Sequence, residues 1–338
     1  MNIGLFTSVF FNNIGNGFLD LGLEYELSQA KKAEDNIVKV SQCANFAASL
    51  GRLFTIKENP LVKWTWEHLM QGKYAKKLHN KTYDIVEMND VLSPASMFKL
   101  DYLVIPGCVL TIHFFKIYYN FLKKKTEQGC KIIFIGASGN YYTDDEVKYV
   151  TKCLKNLKPY AIMTRDHDAF RLYKDYSANV YDGIDNAFFV NCLNIPKLES
   201  DLSPYVVLNL ENEEHKQLKT ELIEAAKREG KNIIFTDHQP YPYSKVSKMV
   251  KKENTIISDY PMDYLTLYRN ADAVYTDRVH ATITTLAFGN SVTLYSESPR
   301  KALLENVGVN YIPGEVLRIE NLQQKQEAQI EFLRQILQ

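Results

Sequence analysis

Short apolar runs alternate with longer amphipathic stretches along almost the whole chain, and no other feature narrows the fold as much. NIGLF (2–6), DIVEM (84–88), YLVIP (102–106), KIIFIG (131–136) and YAIMTRD (160–166) form a first set of short runs. Between them, residues 16–31 place Phe18, Leu19, Leu23, Leu27 and Ala30 near helical spacing, and 112–128 and 143–156 read the same way. Helical spacing turns one face toward a core, whereas a short continuous apolar run fits a strand buried on both faces. A second set begins at YVVLNL (205–210) and continues with NIIFT (232–236), TIIS (255–258), DAVYT (272–276) and SVTLY (291–295). Helices are expected between these at 212–229, stopped by Gly230, near 243–252, from Pro261 onward, and at 279–288; a last one is expected at 320–337.

Strands alternating with helices predict an α/β protein with parallel sheets covered on both faces. The chain has 338 residues, long for one core. The two sets meet at NCLNIPKLESDLSP (191–204), which holds two prolines and little periodicity. The expectation is therefore two facing Rossmann-like domains, at 1–195 and 203–318, followed by a C-terminal helix at 319–338. Ligands of such sheets sit in the cleft beyond the carboxyl ends of strands.

Charge and cysteine use remove several classes of function. Forty basic and forty acidic side chains balance, so no nucleic-acid footprint is expected. Lys123, Lys124 and Lys125 read as the solvated end of a helix. No apolar stretch approaches the roughly 20 residues needed to cross a bilayer, so membrane association is at most peripheral. The opening MNIGLFTSVFFNN lacks a basic region and a small-residue cleavage site, and reads as strand and loop. The five cysteines are odd in number and none are paired at ligand spacing. A reducing cytoplasm is expected, with no disulfide framework and no metal site.

Four strand-to-loop junctions face the expected cleft. SVFFNNIGNGFLD (8–20) carries Asn12, Asn13, Gly15, Asn16 and Gly17 ahead of a helix; it suits a close ligand contact or an ordinary capped turn, and it lacks dinucleotide spacing. VIPGCVLTIHF (104–114) brings His113 to a helix start, either as a packing histidine or as a contact to a hydroxylated ligand. In MTRDHDAFRLY (163–173), Asp166 suits a helix cap, and Arg165 suits either an internal ion pair or an arginine fork for a carboxylate or phosphate. In AVYTDRVHATITTLAFGN (273–290), Arg278 and His280 stand where a strand hands over to a helix. There the free N–H groups and the dipole favour an anion, although Arg278 could instead pair with Asp277 or Asp272.

Other patterns are absent or bland. There is no G-x-S-x-G elbow, phosphate loop or H-E-x-x-H helix. ESD (199–201) and ENEE (211–214) read as solvated acids or helix-dipole partners. TDHQPYPYS (236–244) offers His238, Gln239 and two tyrosines to a sugar or nucleotide, or mere packing.

Taken together, these pieces resemble the polysaccharide pyruvyl transferase family. The longest match is YRNADAVYTDRVHATITTLAFGNSVTLYSESPRKALLENVGV (268–309). TRDHDAF, YDGIDNAFF (181–189) and NNIGNGFLDLG follow the family's other segments in order. The chain departs from the family pattern at Asn16, where an acid is common, and at Pro106-Gly107-Cys108, where a glycine run is common. The resemblance implies a GT-B-like fold, phosphoenolpyruvate as donor and a sugar acceptor, lipid-linked or polymeric, with no cofactor. It implies a ketal product in exopolysaccharide or capsule synthesis. It places Arg165, Arg278, Val279 and His280 at phosphoenolpyruvate, with Arg278 and His280 catalytic. Asn13, Gly15, Asn16, His113 and His238 fall to the acceptor. Two alternatives remain at this stage: a nucleotide-sugar glycosyltransferase, and a non-catalytic sugar- or anion-binding protein on the same fold.

Overall fold

The most apolar runs become the central strands of two parallel sheets. The structure is a computed structural model that describes residues 1–7, 13–42, 94–238, 254–296 and 298–338. The first sheet contains β1 (Asn2–Thr7), β2 (Asn36–Ser41), β3 (Tyr102–Pro106), β4 (Lys131–Ala137), β5 (Ala161–Thr164) and β6 (Asn179–Asp182). Its order is β2-β1-β3-β4-β5-β6, parallel throughout. The second contains β7 (Tyr205–Asn209), β8 (Asn232–Thr236), β9 (Thr255–Ile256), β10 (Ala273–Thr276), β11 (Ser291–Leu294) and β12 (Val316–Leu317). Its order is β12-β11-β10-β7-β8-β9, with only β12 antiparallel. Strand order reverses between β1 and β3 and again between β7 and β10. Each reversal opens a crevice at the carboxyl edge of its sheet.

Helices form where the apolar spacing predicts them: α1 (Gly15–Ala30), α2 (Ile112–Glu127), α3 (Asp144–Leu157), α4 (His167–Tyr173), α5 (Lys216–Arg228), α6 (Pro261–Arg269), α7 (Val279–Ala287) and α8 (Leu322–Ile336). Three strands go beyond the sequence reading, and all lie at sheet edges. β2 keeps one buried residue, Val40; β6 is half-buried throughout; β12 has two residues. An edge strand lacks the continuous apolar run that marks a central one. The helix expected from 212 starts at Lys216, after a 3-10 turn at Glu213–His215. DIVEM, the helix near 243–252, Gln239 and the tyrosines at 241 and 243 lie outside the described residues.

Two elements stitch the halves together. From α1, Ile14, Phe18 and Leu19 join a core with Tyr264 and Tyr268 of α6, Ile283 of α7, and Phe188 and Phe189 of the 3-10 segment Asn186–Cys192. The approach is close because α1 presents glycines there. A Cβ on Gly22 would stand 1.8 Å from the Asn186 carbonyl oxygen, and one on Gly17 2.3 Å from Pro261 Cγ. α8 returns to the first sheet, where Leu333, Ile336 and Leu337 pack with Ile3, Leu5 and Val104. The chain therefore crosses between domains twice.

Glu26 marks this seam. It is wholly buried, accepting from Asn186 Nδ2 at 2.5 Å and from Gln329 Nε2 at 2.8 Å. Burial pushes its carboxyl up to about 8, against the two amide donors. A raised folded value for an acid means that the unfolded chain ionises first. Stability then falls as pH rises from about 4.5 to about 8, by on the order of a few kcal/mol. Glu26→Gln should remove that decline, because the unpartnered Asn186 Oδ1 can turn to accept the new amide. Denaturant midpoints of the two proteins from pH 5 to pH 8 check this: the curves should separate steadily with pH.

Candidate functional site

Four loops of the second sheet place a polar side chain two residues past a strand end. Glu211 follows β7, His238 follows β8, Arg278 follows β10 and Ser296 follows β11. Parallel strands bring these positions to one edge, so the loops converge. Glu211 stands behind Arg278, and with Asn13 from the first domain the other three surround a cavity of about 160 Å³. Its wall includes His238, Asp277, Arg278, Val279 and His280. The loop after β11 adds Ser296, Ser298 and Arg300.

The turn into α7 is built locally. Thr276 Oγ1 accepts the Arg278 N–H at 2.9 Å, and Arg278 stands in an extended conformation at the N-cap without a side-chain cap. α7 is buried along its whole length although threonine-rich. Its threonine hydroxyls donate to carbonyls one turn back: Thr284 to His280 at 2.9 Å and Thr285 to Ala281 at 2.7 Å. Polar residues are thereby satisfied inside a packed helix. The first turn stays directed at the cavity, with its N–H groups and the positive end of the dipole.

His280 is braced from the first domain. A Cβ on Gly15 would lie 2.9 Å from His280 Nδ1, so only glycine lets α1 start against the ring. On the other side His280 Nε2 lies 3.8 Å from Asp185 Oδ2. That is an electrostatic contact rather than a hydrogen bond. Asp185 Oδ2 also accepts from Arg165 Nη1 at 2.5 Å, and Arg165 Nε and Nη2 donate to Ser138 Oγ at 3.0 and 2.8 Å. Burial alone would raise Asp185, but Arg165 and His280 hold it down at about 2. Burial lowers the His280 value, against the pull of Asp185. The site therefore pairs an ionised Asp185 with a neutral His280 at pH 7.

Arg278 is paired with Glu211, at 3.5 Å from Oε2, and not with Asp277 or Asp272. Asp277 Oδ2 instead accepts the N–H groups of Glu211 and Asn212 at 2.7 and 2.8 Å. The acids of ENEE are thus not all solvated. Glu211 is nearly buried, and burial lifts it to about 7 against Arg278. Its place two residues after an apolar strand was the signal available in the sequence. His238 is buried and held at Nε2 by Tyr268 Oη, 2.5 Å away. Burial and nearby Arg278 keep its value well below that of a free histidine.

Arg278, Val279 and His280 meet at the cavity, and Asn13 and His238 join them. Gly15 stands behind the His280 ring. Asn16 is half-buried in the first turn of α1, its N–H on the Asn13 carbonyl at 3.2 Å, and is not part of the wall. His113 is exposed in the first turn of α2 and is likewise not part of it. Arg165 is 1% exposed with its fork engaged inside the protein, while Asp166 caps α4 through Ala169 N–H. The sequence reading did not single out Asp185, Ser138, Ser296, Ser298 or Arg300. Three buried polar atoms of this cluster, Asn13 Oδ1, Asp277 Oδ1 and His280 Nε2, have no hydrogen-bond partner among the described residues. Such atoms are uncommon in a packed interior and here gather at one place. Among the described residues no group of histidine, cysteine or carboxylate side chains suits a metal ion.

The Arg165–Asp185 pair gives a stability prediction. Asp185→Asn leaves a buried, unpaired guanidinium, which should cost about 3–5 kcal/mol in a denaturant titration. The native Asp185 value lies below the unfolded one, so its contribution is present above about pH 4 and is lost as pH falls toward 2.

The sequence profile of the polysaccharide pyruvyl transferase family matches residues 31–298. No curated protein matches the sequence significantly. Among solved structures, UDP-GlcNAc 2-epimerase from Neisseria meningitidis, bound to UDP-GlcNAc, aligns over 100% of this chain and 94% of its own. The identity is 13% and the TM-score 0.50. MnaA of S. aureus, solved with UDP, aligns over 99% of this chain and 90% of its own at 12% identity and a TM-score of 0.52. At such identities the likeness establishes the fold alone, two parallel-sheet domains of the GT-B type. No described helix is long and apolar enough to cross a membrane.

Proposed function

Because the chain belongs to the polysaccharide pyruvyl transferase family, we propose that it moves the pyruvyl group of phosphoenolpyruvate onto two hydroxyls of one sugar, forming a ketal and releasing phosphate. The observation that carries this reading is the cavity at the start of α7. It joins Arg278, Arg300, two serines and a helix N-terminus around a volume of about 160 Å³. That volume suits a three-carbon phosphate. It is small for a nucleotide sugar, since drug-sized ligands occupy roughly 300–1,000 Å³. The size argues against the glycosyltransferase alternative.

In the proposed reaction Arg278 and the first turn of α7 hold the phosphate, and Arg300 holds the carboxylate. Among the described residues no carboxylate pairs with Arg300. Arg165 acts through Asp185, keeping it ionised behind His280. A bound dianion raises the proton affinity of His280, which is neutral in the empty site. His280 gives that proton to the methylene carbon, and the adjacent carbon becomes electrophilic. One sugar hydroxyl attacks and returns its proton to His280. The second hydroxyl closes the ketal, and its proton leaves with the phosphate. No cofactor enters this scheme. The acceptor is a glycan precursor, on a lipid carrier or a polymer, and the reaction is assigned to the cytoplasm.

Phosphate release from phosphoenolpyruvate across a panel of sugar acceptors, with products weighed by mass spectrometry, tests the reading. Arg278→Ala should lower kcat/KM by on the order of a hundredfold or more. His280→Ala with near-normal turnover on a competent acceptor would falsify the acid role. Turnover without any mass gain on an acceptor would leave only a binding or hydrolytic protein.

A further inference from the structure

Glu211 stands behind Arg278, at the crevice where strand order reverses between β7 and β10. Its Oε2 lies 3.5 Å from Arg278 Nη1, and its Oε1 accepts the His238 N–H at 2.8 Å. The Arg278 contact is too long for a good hydrogen bond. The carboxylate faces the guanidinium without locking it. Any anion that enters the cavity and takes Arg278 competes with Glu211 for the same positive charge.

The other neighbours make a negative charge on Glu211 costly. Asp237, after β8, and Asp277, after β10, both repel it, while Arg278 and the His238 N–H oppose them. From α6 the neutral Tyr264 and Tyr268 face it, and the buried, neutral His238 completes the surroundings. Burial is the largest influence, and the balance leaves the acid near 7 with Arg278 still unshared. An anion on Arg278 offsets the larger of these two opposing influences and leaves only the His238 N–H.

We propose that Glu211 takes up one proton from solvent when an anion binds Arg278. The site then exchanges the charge of its own carboxylate for that of the ligand. As carboxylate, Glu211 holds Arg278 at the crevice in the empty site. As acid, it frees the guanidinium and keeps Oε1 for the His238 N–H. Glu211 is thus a positioning residue that acts through Arg278. The inference rests on the cavity being an anion site and is independent of which anion the enzyme uses.

Sulfate tests this, because it stays dianionic across the range of interest. Calorimetry at pH 6, 7 and 8, in buffers of different ionisation enthalpy, reads both affinity and proton uptake. With an acid near 7, the protonated fraction falls from about nine-tenths at pH 6 to about one-tenth at pH 8. Wild-type affinity should fall by about tenfold over that range through Glu211, and uptake at pH 8 should exceed that of Glu211→Gln by close to one proton per sulfate. Glu211→Gln, shown to be folded by its melting curve, should bind sulfate about tenfold more tightly than wild type at pH 8. The two should agree within about twofold at pH 6. Uptake should persist in His280→Gln, which removes the wall histidine that the proposed reaction protonates. The proposal is overturned if Glu211→Gln keeps the wild-type pH dependence, or if uptake vanishes in His280→Gln. Sulfate that does not bind wild type at all overturns the anion cavity itself, and the proposal with it.

Discussion

One carboxylate holds this site together. Asp185 Oδ2 faces Arg165 at 2.5 Å and His280 at 3.8 Å, and its other oxygen accepts the Ala187 N–H at 2.8 Å. Arg165 and Asp185 belong to the first sheet's loops, and His280 belongs to the second domain. The pair therefore fixes the orientation of a residue across the seam. Everything around it serves that placement: Gly15 lets α1 start against the ring, Gly22 lets α1 reach Asn186, and α8 ties the last residues back to the first sheet. A buried ion pair is weak evidence for net stability, since well-packed apolar groups do as well. Here the arrangement orders charge next to the cavity.

The electrostatic pattern follows from unequal burial of like groups. Asp185 is buried beside a guanidinium and stays ionised well below the usual carboxylate range. Glu26 is buried with only amide donors and a repelling Asp185 nearby, and is pushed up to about 8. Glu211 is intermediate, with one guanidinium at 3.5 Å and two aspartates nearby. His238 is kept neutral by burial and by nearby Arg278, and His280 is neutral because burial outweighs the pull of Asp185. The cavity thus holds positive charge chiefly on Arg278 and Arg300, and the histidines keep capacity for a proton.

The central strands and most helices were legible because each carries a continuous apolar run or a helical apolar stripe. β2, β6 and β12 were not, because an edge position asks little of the sequence. At the site, Arg278 and His280 stood out because a strand-to-helix junction with two basic residues is chemically unusual. Glu211 did not stand out, since a carboxylate in an acidic stretch reads as solvent-facing until the strand before it is seen to end at a crevice. Arg165 was legible as an arginine fork, but which acid it meets depends on pairing β5 with β6 in the first sheet. Asp185 comes from a chain segment far from α7, and local pattern does not encode its contact with His280.

The proposed reaction requires the cavity at the start of α7 to take a three-carbon phosphate. Titration calorimetry of the intact protein with phosphoenolpyruvate, beside a nucleotide sugar under the same conditions, tests it most directly. One phosphoenolpyruvate should bind per chain, lost in Arg278→Ala, with no heat from the nucleotide sugar. Saturable binding of the nucleotide sugar with none of phosphoenolpyruvate would contradict it.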